Sequence, residues 1–374
     1  MKLHTKVITL FIALLSLSCF EKKKEPIEKT LDNELKQKIG QMILVGFRGD
    51  SIQKVDSILK DQLKKGEIGG IILFDYDVVY KKADRNIKSP DQLKKLIADL
   101  QSLNEDQLFI SIDQEGGKVS RLKPKYGFPE SVSAKYLGQI DDVDTTLLYA
   151  ERNVKTLKSL GINLNFAPVV DMDINPNNPV IGGYERSYSK KAEIVEKHAA
   201  IWIDAHAEAG IISTLKHFPG HGSADADSHK GITDITNFWS VEELIPFRKL
   251  SAKKSMGIMT AHVMNKELDS TYPATLSKNV IKKIIRNNFE FNGLVFSDDL
   301  QMKAVNAMFP FETILKKAIE ADVDVLVVGN NLEYDPDIAS KMINAIYKMV
   351  QSGEITEERI EESYQRVLKA KKSI

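Results

Sequence analysis

The stretch Ile212-Ser213-Thr214-Leu215-Lys216-His217, continued by Phe218-Pro219-Gly220-His221-Gly222-Ser223-Ala224-Asp225-Ala226-Asp227-Ser228-His229, decides how this chain is read. An apolar, β-branched run ends in a lysine and a histidine, and a glycine-rich loop follows. Such a run reads as a strand buried on both faces of a parallel sheet. Seven more runs of the same kind flank it: Met42–Phe47, Gly70–Phe74, Leu108–Asp113, Ile162–Ala167, Ile258–His262, Leu294–Ser297 and Asp324–Val328. Amphipathic stretches separate them, among them Ser89–Asn104, Thr145–Leu160, Lys191–Ala209, Ser277–Phe289 and Phe311–Ala321. Two more, Asp335–Ser352 and Thr356–Ala370, close the chain. Eight buried strands alternating with helices predict an α/β fold, a single (β/α)8 barrel of the TIM type. The competing doubly wound sheet is weakened because no Gly-x-Gly-x-x-Gly follows the first strand. Residues 75–89 read as a long polar loop, with no internal repeat or second-domain linker elsewhere.

The 374 residues carry 52 Lys plus Arg against 52 Asp plus Glu, a formal net charge of zero. That balance excludes a large basic field, so nucleic acid is not an expected partner. At 43% hydrophobic and 28% charged, the chain is not disordered as a whole.

Residues 1–18 read as a secretory signal: Lys2 and Lys6 precede the apolar stretch Val7–Leu15. That stretch is shorter than the roughly 20 residues a spanning helix needs. Cys19 is the single cysteine, so an internal disulfide is excluded. Its position after Leu15-Ser16-Leu17-Ser18 resembles a bacterial lipoprotein signal, in which the thiol is acylated. An ordinary cleaved signal with an incidental cysteine is the alternative. Residues 19–33, beginning with the charged run Glu21-Lys22-Lys23-Lys24-Glu25-Pro26, read as a flexible tether, and residues 34–374 as the catalytic domain. The expectation is an exported monomer held to a membrane through a lipid anchor, facing the periplasm or cell surface.

Polar residues fall at the C-terminal ends of the runs: Asp113, Lys216-His217, His262 and Asp298-Asp299. In a barrel those ends share the face where active sites form. Asp227 and His229 lie two apart in a loop, so the carboxylate can fix one ring nitrogen and raise the basicity of the other, as general acid/base work requires. A metal cluster of His217, His221 and His229, or a hydrogen-bonded loop histidine, are the other readings of the same residues. Asp298 at a strand tip suits a nucleophile that forms an ester with a sugar, whereas Asp299 suits a helix cap. Asp113 can bond hydroxyls, Gly116 and Gly117 let the backbone turn, and Arg121 and Arg186 are candidate ligand donors.

Six motifs occur in order: Asp113-Gln114-Glu115-Gly116-Gly117, Asn165-Phe166-Ala167-Pro168, Asn175-Pro176-x-Asn178-Pro179, Lys216-His217-Phe218-Pro219-Gly220-His221-Gly222, Asp227-Ser228-His229 and Ser297-Asp298-Asp299-Leu300-x-Met302. With them the chain resembles the β-N-acetylhexosaminidase branch of the family 3 glycoside hydrolases, over about Leu35 to Lys371. The resemblance implies a barrel, no metal or organic cofactor, and an amino-sugar glycan as substrate. It implies Asp298 as nucleophile and His229, oriented by Asp227, as acid/base in a retaining double displacement. It also implies Asp113, Arg121, Arg186, Lys216 and His217 as ligands of a terminal N-acetylglucosamine, with His262 near the sugar. The segment Gly182–Ser189 and residues 75–86 are longer than the family pattern, and the export signal is unusual among Gram-negative relatives. A family 3 β-glucosidase, an N-acetylglucosaminide phosphorylase and a non-enzymatic glycan-binding surface lipoprotein are the rival readings.

Overall fold

The computed structural model describes residues 27–229 and 231–374. The signal at residues 1–18, Cys19 and the tether up to residue 26 lie outside the described residues. Helix Ile27–Gln41 begins inside the segment read as a tether. It packs on the barrel because Leu35 and Ile39, one turn apart, are buried and Tyr347 donates its hydroxyl to Asp32 at 2.6 Å.

Eight parallel strands form the barrel: β1 Ile43–Gly46, β2 Gly70–Leu73, β3 Phe109–Ile112, β4 Leu164–Asn165, β5 Ile212–Phe218, β6 Met256–Thr260, β7 Val295–Phe296 and β8 Leu326–Val328. Each run read as a strand overlaps one of them, with β5 reaching one residue past its run and β6 beginning two residues before its own. Neighbours in sequence are neighbours in space, and β8 returns to β1 with Ile43 opposite Leu326. A parallel bridge from Phe296 to Val325 joins the two remaining edges, so the sheet comes round almost to closure.

Two apolar layers follow from strands buried on both faces. Leu44, Ile72, Phe109, Leu164, Phe166, Ile212, Met259 and Phe296 fill the barrel interior, with Val367 of the last helix packed into the same cluster. Phe166 and Phe296 meet edge to face, with centroids 5.6 Å apart. The opposite strand faces pack against the helical ring. Ser277–Phe289, read as an ordinary helix, is a π-helix over Asn279–Asn288, wound by bonds such as Phe289 N–H to Ile284 O. Within the expected polar loop, Tyr76–Asp77 and Lys82–Ala83 pair as an antiparallel hairpin. Among the described residues no helix is long and apolar enough to cross a membrane.

Candidate active site

The C-terminal ends of the strands surround a cavity of about 410 Å³. Asp113, Arg121, Arg186, Lys216, His217, Asp227, His229 and Asp298 all line it, although their positions span about half of the chain.

Local turns deliver these groups. Past β3, Asn165 of the neighbouring strand accepts the Gln114 N–H at 3.0 Å and fixes the chain at Asp113. Gly116 and Gly117 take φ of +103° and +56°, a reversal open to residues without a Cβ. The Gln114 side chain accepts the N–H groups of Arg121 and Leu122 at 3.0 and 2.9 Å, which brings Arg121 back over Asp113. Asn178 ties two loops together: it donates to the carbonyls of His221 and Gly222 at 2.7 and 3.2 Å and accepts from Val180 and Ile181. The conspicuous asparagine motif thus works as a clamp on the histidine loop.

The floor is an ion network. Lys216, buried at the tip of β5, donates to Asp113 at 2.8 Å and to Glu115 at 2.7 Å. Arg121 reaches the second oxygen of Asp113 at 3.1 Å. Arg186 grips Glu115 with two bonds of 2.8 and 2.7 Å. Burial opposes ionisation of Asp113, but Lys216 and Arg121 outweigh it and hold the carboxyl far below its usual range. Glu115 is lowered in the same way, against its own burial, by Arg186 and Lys216.

His217 is held neutral: burial, then the charges of Arg186 and Lys216, push its pKa well down. Its Nδ1 lies 2.7 Å from Asp171 and its Nε2 lies 3.1 Å from Arg186. The partners assign the tautomer, with Nδ1–H donating to Asp171 and Nε2 accepting from Arg186. Both ring nitrogens are therefore occupied, which leaves no lone pair for the three-histidine metal cluster. Among the described residues no group of His, Cys, Asp and Glu is arranged to hold a metal ion.

Asp298 sits just past β7, half-buried. Burial would raise its pKa, but the histidines His262, His217 and His229 and the Asp299 N–H bring it below the ordinary value, so it stays ionised near neutrality. Its neighbour Asp299 is pushed up to about 6 by burial, although the N–H groups of Gln301 and Gly329 bond to it at 3.0 Å. Asp299 thus ties β7 to the end of β8. His229 is exposed on the loop after β5, and Asp227 holds both its Nδ1 and its backbone N–H at 2.9 Å. His262 lies behind the cavity wall, bonded to Thr275 and to the carbonyl of Asp299. It reaches the site through its field on Asp298 rather than from the cavity surface.

Glu115 and Asp171 escaped the sequence reading. Glu115 lies within the Asp113–Gly117 motif, and Asp171 follows the Asn165–Pro168 motif by three residues, a spacing that marks it as a continuation of that strand end.

An ionised carboxylate and an aspartate-steered imidazole thus line one polar cavity on the barrel rim, the face where the active sites of such barrels form. Residues 34–370 match the glycosyl hydrolase family 3 N terminal domain, and the chain belongs to that family. A β-hexosaminidase of Nitrosomonas eutropha is 31% identical over 81% of this chain and 84% of its own. The structure of a family 3 β-N-acetylglucosaminidase from Paenibacillus sp. superposes with a TM-score of 0.81 at 35% identity, covering 91% of this chain and 62% of that one. A β-N-acetylhexosaminidase from Beutenbergia cavernae gives 0.78 at 26% identity, covering 90% of this chain and 98% of that one. The chain thus spans less than two thirds of the Paenibacillus enzyme and nearly all of the Beutenbergia one.

Proposed function

We propose that this protein is a retaining exo-β-N-acetylglucosaminidase that removes terminal N-acetylglucosamine, from peptidoglycan fragments first and chitin oligosaccharides second. The observation that carries the reading is an Asp298 carboxylate whose pKa lies below its ordinary value, in the cavity that His229 and its Asp227 also line. Relatives named β-hexosaminidase and β-N-acetylglucosaminidase support the substrate class.

In this reading Asp113, Lys216 and Arg121 bind hydroxyls of the terminal sugar, and Arg186, neutralised by Glu115, keeps the floor rigid. Asp298 attacks the anomeric carbon while His229 gives a proton to the leaving oxygen. Its Nδ1 is engaged by Asp227, so Nε2 carries that proton. The glycosyl ester on Asp298 is then opened by water, which His229 deprotonates. An imidazole can give a proton in the first step and take one in the second. Export and acylation at Cys19 belong to the same proposal, and radiolabelled fatty acid incorporated at Cys19 is their test.

Turnover of an aryl N-acetylglucosaminide tests the chemistry: Asp298→Ala abolishes it and His229→Ala slows it severely. Wild-type rates in Asp298→Ala refute the nucleophile. A rate that depends on phosphate selects the phosphorylase, faster turnover of an aryl glucoside selects the β-glucosidase, and glycan binding without turnover selects a non-enzymatic lipoprotein.

A further inference from the structure

The cavity has two chemically different sides. Its charged groups Asp113, Lys216, Arg186 and Asp298 come from β3, β5, β7 and the loop after β4. The facing wall is built by the loops after β2 and β8, and there Tyr76, Val78 and Leu332 line the same cavity. Asp75 carries charge on that wall, but it is buried and Lys123 holds it at 2.5 Å. Asn331 is also spent on the wall itself: it accepts the Val78 N–H at 3.0 Å and donates to the Tyr76 carbonyl at 3.0 Å.

The hairpin that carries Tyr76 and Val78 is held with unusual firmness for a rim loop. The Arg85 side chain is fully buried beneath it and bonds Phe47 O at 3.0 Å, Asn330 O at 2.7 Å, Asn331 Oδ1 at 2.7 Å and Asp77 at 3.2 Å. Arg48 forks onto Asp77 at 2.7 and 3.2 Å, and its guanidinium lies 3.9 Å from the ring centroids of both Tyr80 and Tyr334. A buried polar scaffold of this kind is a cost in folding unless every partner is satisfied, and here it supports an apolar tip in water. Tyr76 is 41% exposed and Val78 44% exposed.

We propose that the hairpin Tyr76–Ala83 is the platform for the aglycone, and that Tyr76 with Val78 takes the apolar C–H face of a second hexopyranose ring. The inference rests on the glycosidase reading and names the second subsite of that same cavity. The polar side of the cavity satisfies the hydroxyls of the first ring. A second ring leaving the cavity has two apolar faces, and the facing wall offers an aromatic ring and a β-branched side chain on an anchored hairpin. Rigidity matters because a preorganised platform loses little entropy when the ring lands on it.

The test compares two substrates of full-length protein: the β-1,4-linked disaccharide of N-acetylglucosamine, and N-acetylglucosaminyl fluoride, whose leaving group is too small to touch the hairpin. Tyr76→Ala lowers kcat/KM for the disaccharide by about tenfold, the size of one aromatic contact. It leaves the fluoride within twofold, and Tyr76→Phe keeps the wild-type disaccharide rate. Equal losses on both substrates, or an undiminished disaccharide rate in Tyr76→Ala, overturn the platform while leaving the hydrolase reading intact. Failure of the wild type on both substrates overturns the hydrolase reading, and the platform with it.

Discussion

Replacing Lys216 by methionine keeps the volume of a side chain buried at the tip of β5 and removes its charge. The ammonium makes two charge-assisted bonds, 2.8 Å to Asp113 and 2.7 Å to Glu115. Without it Asp113 retains Arg121 at 3.1 Å and Glu115 retains Arg186 at 2.7 Å. Breaking a buried ion pair costs about 3–5 kcal/mol, and the retained guanidinium groups place this variant near the lower end, about 3 kcal/mol at pH 7. At about 2 °C per kcal/mol for a chain of this size, Tm falls by about 6 °C. The sign with pH follows from the depressed carboxyls. Both acids have folded pKa values below their unfolded ones, so their contribution is present above the ordinary carboxylate range and lost as pH falls from that range towards the depressed folded values. Lys216→Met lowers that contribution, and the Tm gap to wild type therefore holds from pH 7 down to about pH 5 and narrows below about pH 4, where the acids take up protons. Thermal melts followed by circular dichroism across that range measure it. A gap below about 2 °C at pH 7, or one that stays constant with pH, refutes the argument from the ion network.

Glu243, buried under the histidine loop, accepts the Ser223 N–H at 3.3 Å and is pushed up to about 7 by burial, with Asp171 adding to the rise. Its folded pKa exceeds the unfolded 4.5, so it costs nothing below pH 4.5, and stability is lost as pH rises through about 7, by about 3 kcal/mol in full. Glu243→Gln therefore melts above wild type at pH 8 and close to it at pH 5, and an identical gap at both values would exclude this. A Cβ on Gly222 would stand 1.6 Å from the Met172 carbonyl oxygen, so Gly222→Ala shifts the loop that carries His229. Displacement of about 1 Å costs on the order of a hundredfold in kcat/KM for an aryl N-acetylglucosaminide; wild-type kinetics in that variant would show that the loop tolerates the shift.

The barrel was legible because its cause is local. A strand covered on both faces must be apolar along its length, and the eight runs show it without alignment or partner. The strand-tip positions of Asp113, Lys216 and Asp298 followed from the same pattern, because a parallel barrel places all those tips on one rim. The pairing of Asp227 with His229 was equally readable, since two residues of separation in a turn suffice for contact.

Other features depend on groups that no local pattern brings together. Helix Ile27–Gln41 carries charge along most of its length, and only packing against the rest of the chain fixes it. The hairpin after β2 looks like polar loop in sequence because its anchors, Arg48, Asn331 and Tyr334, come from the first and last turns of the barrel. His262 was expected near the sugar and lies behind the wall, where its field on Asp298 is felt but its ring does not line the cavity. Glu115 and Asp171 acquire meaning only beside Arg186 and His217, residues 71 and 46 positions away. Sequence alone determined which strands are buried and which side chains sit at their ends, because burial and alternation act over a few residues. Tertiary structure alone decided which charges share a proton or a partner, because electrostatic energy depends on distance through space and on the water that folding removes.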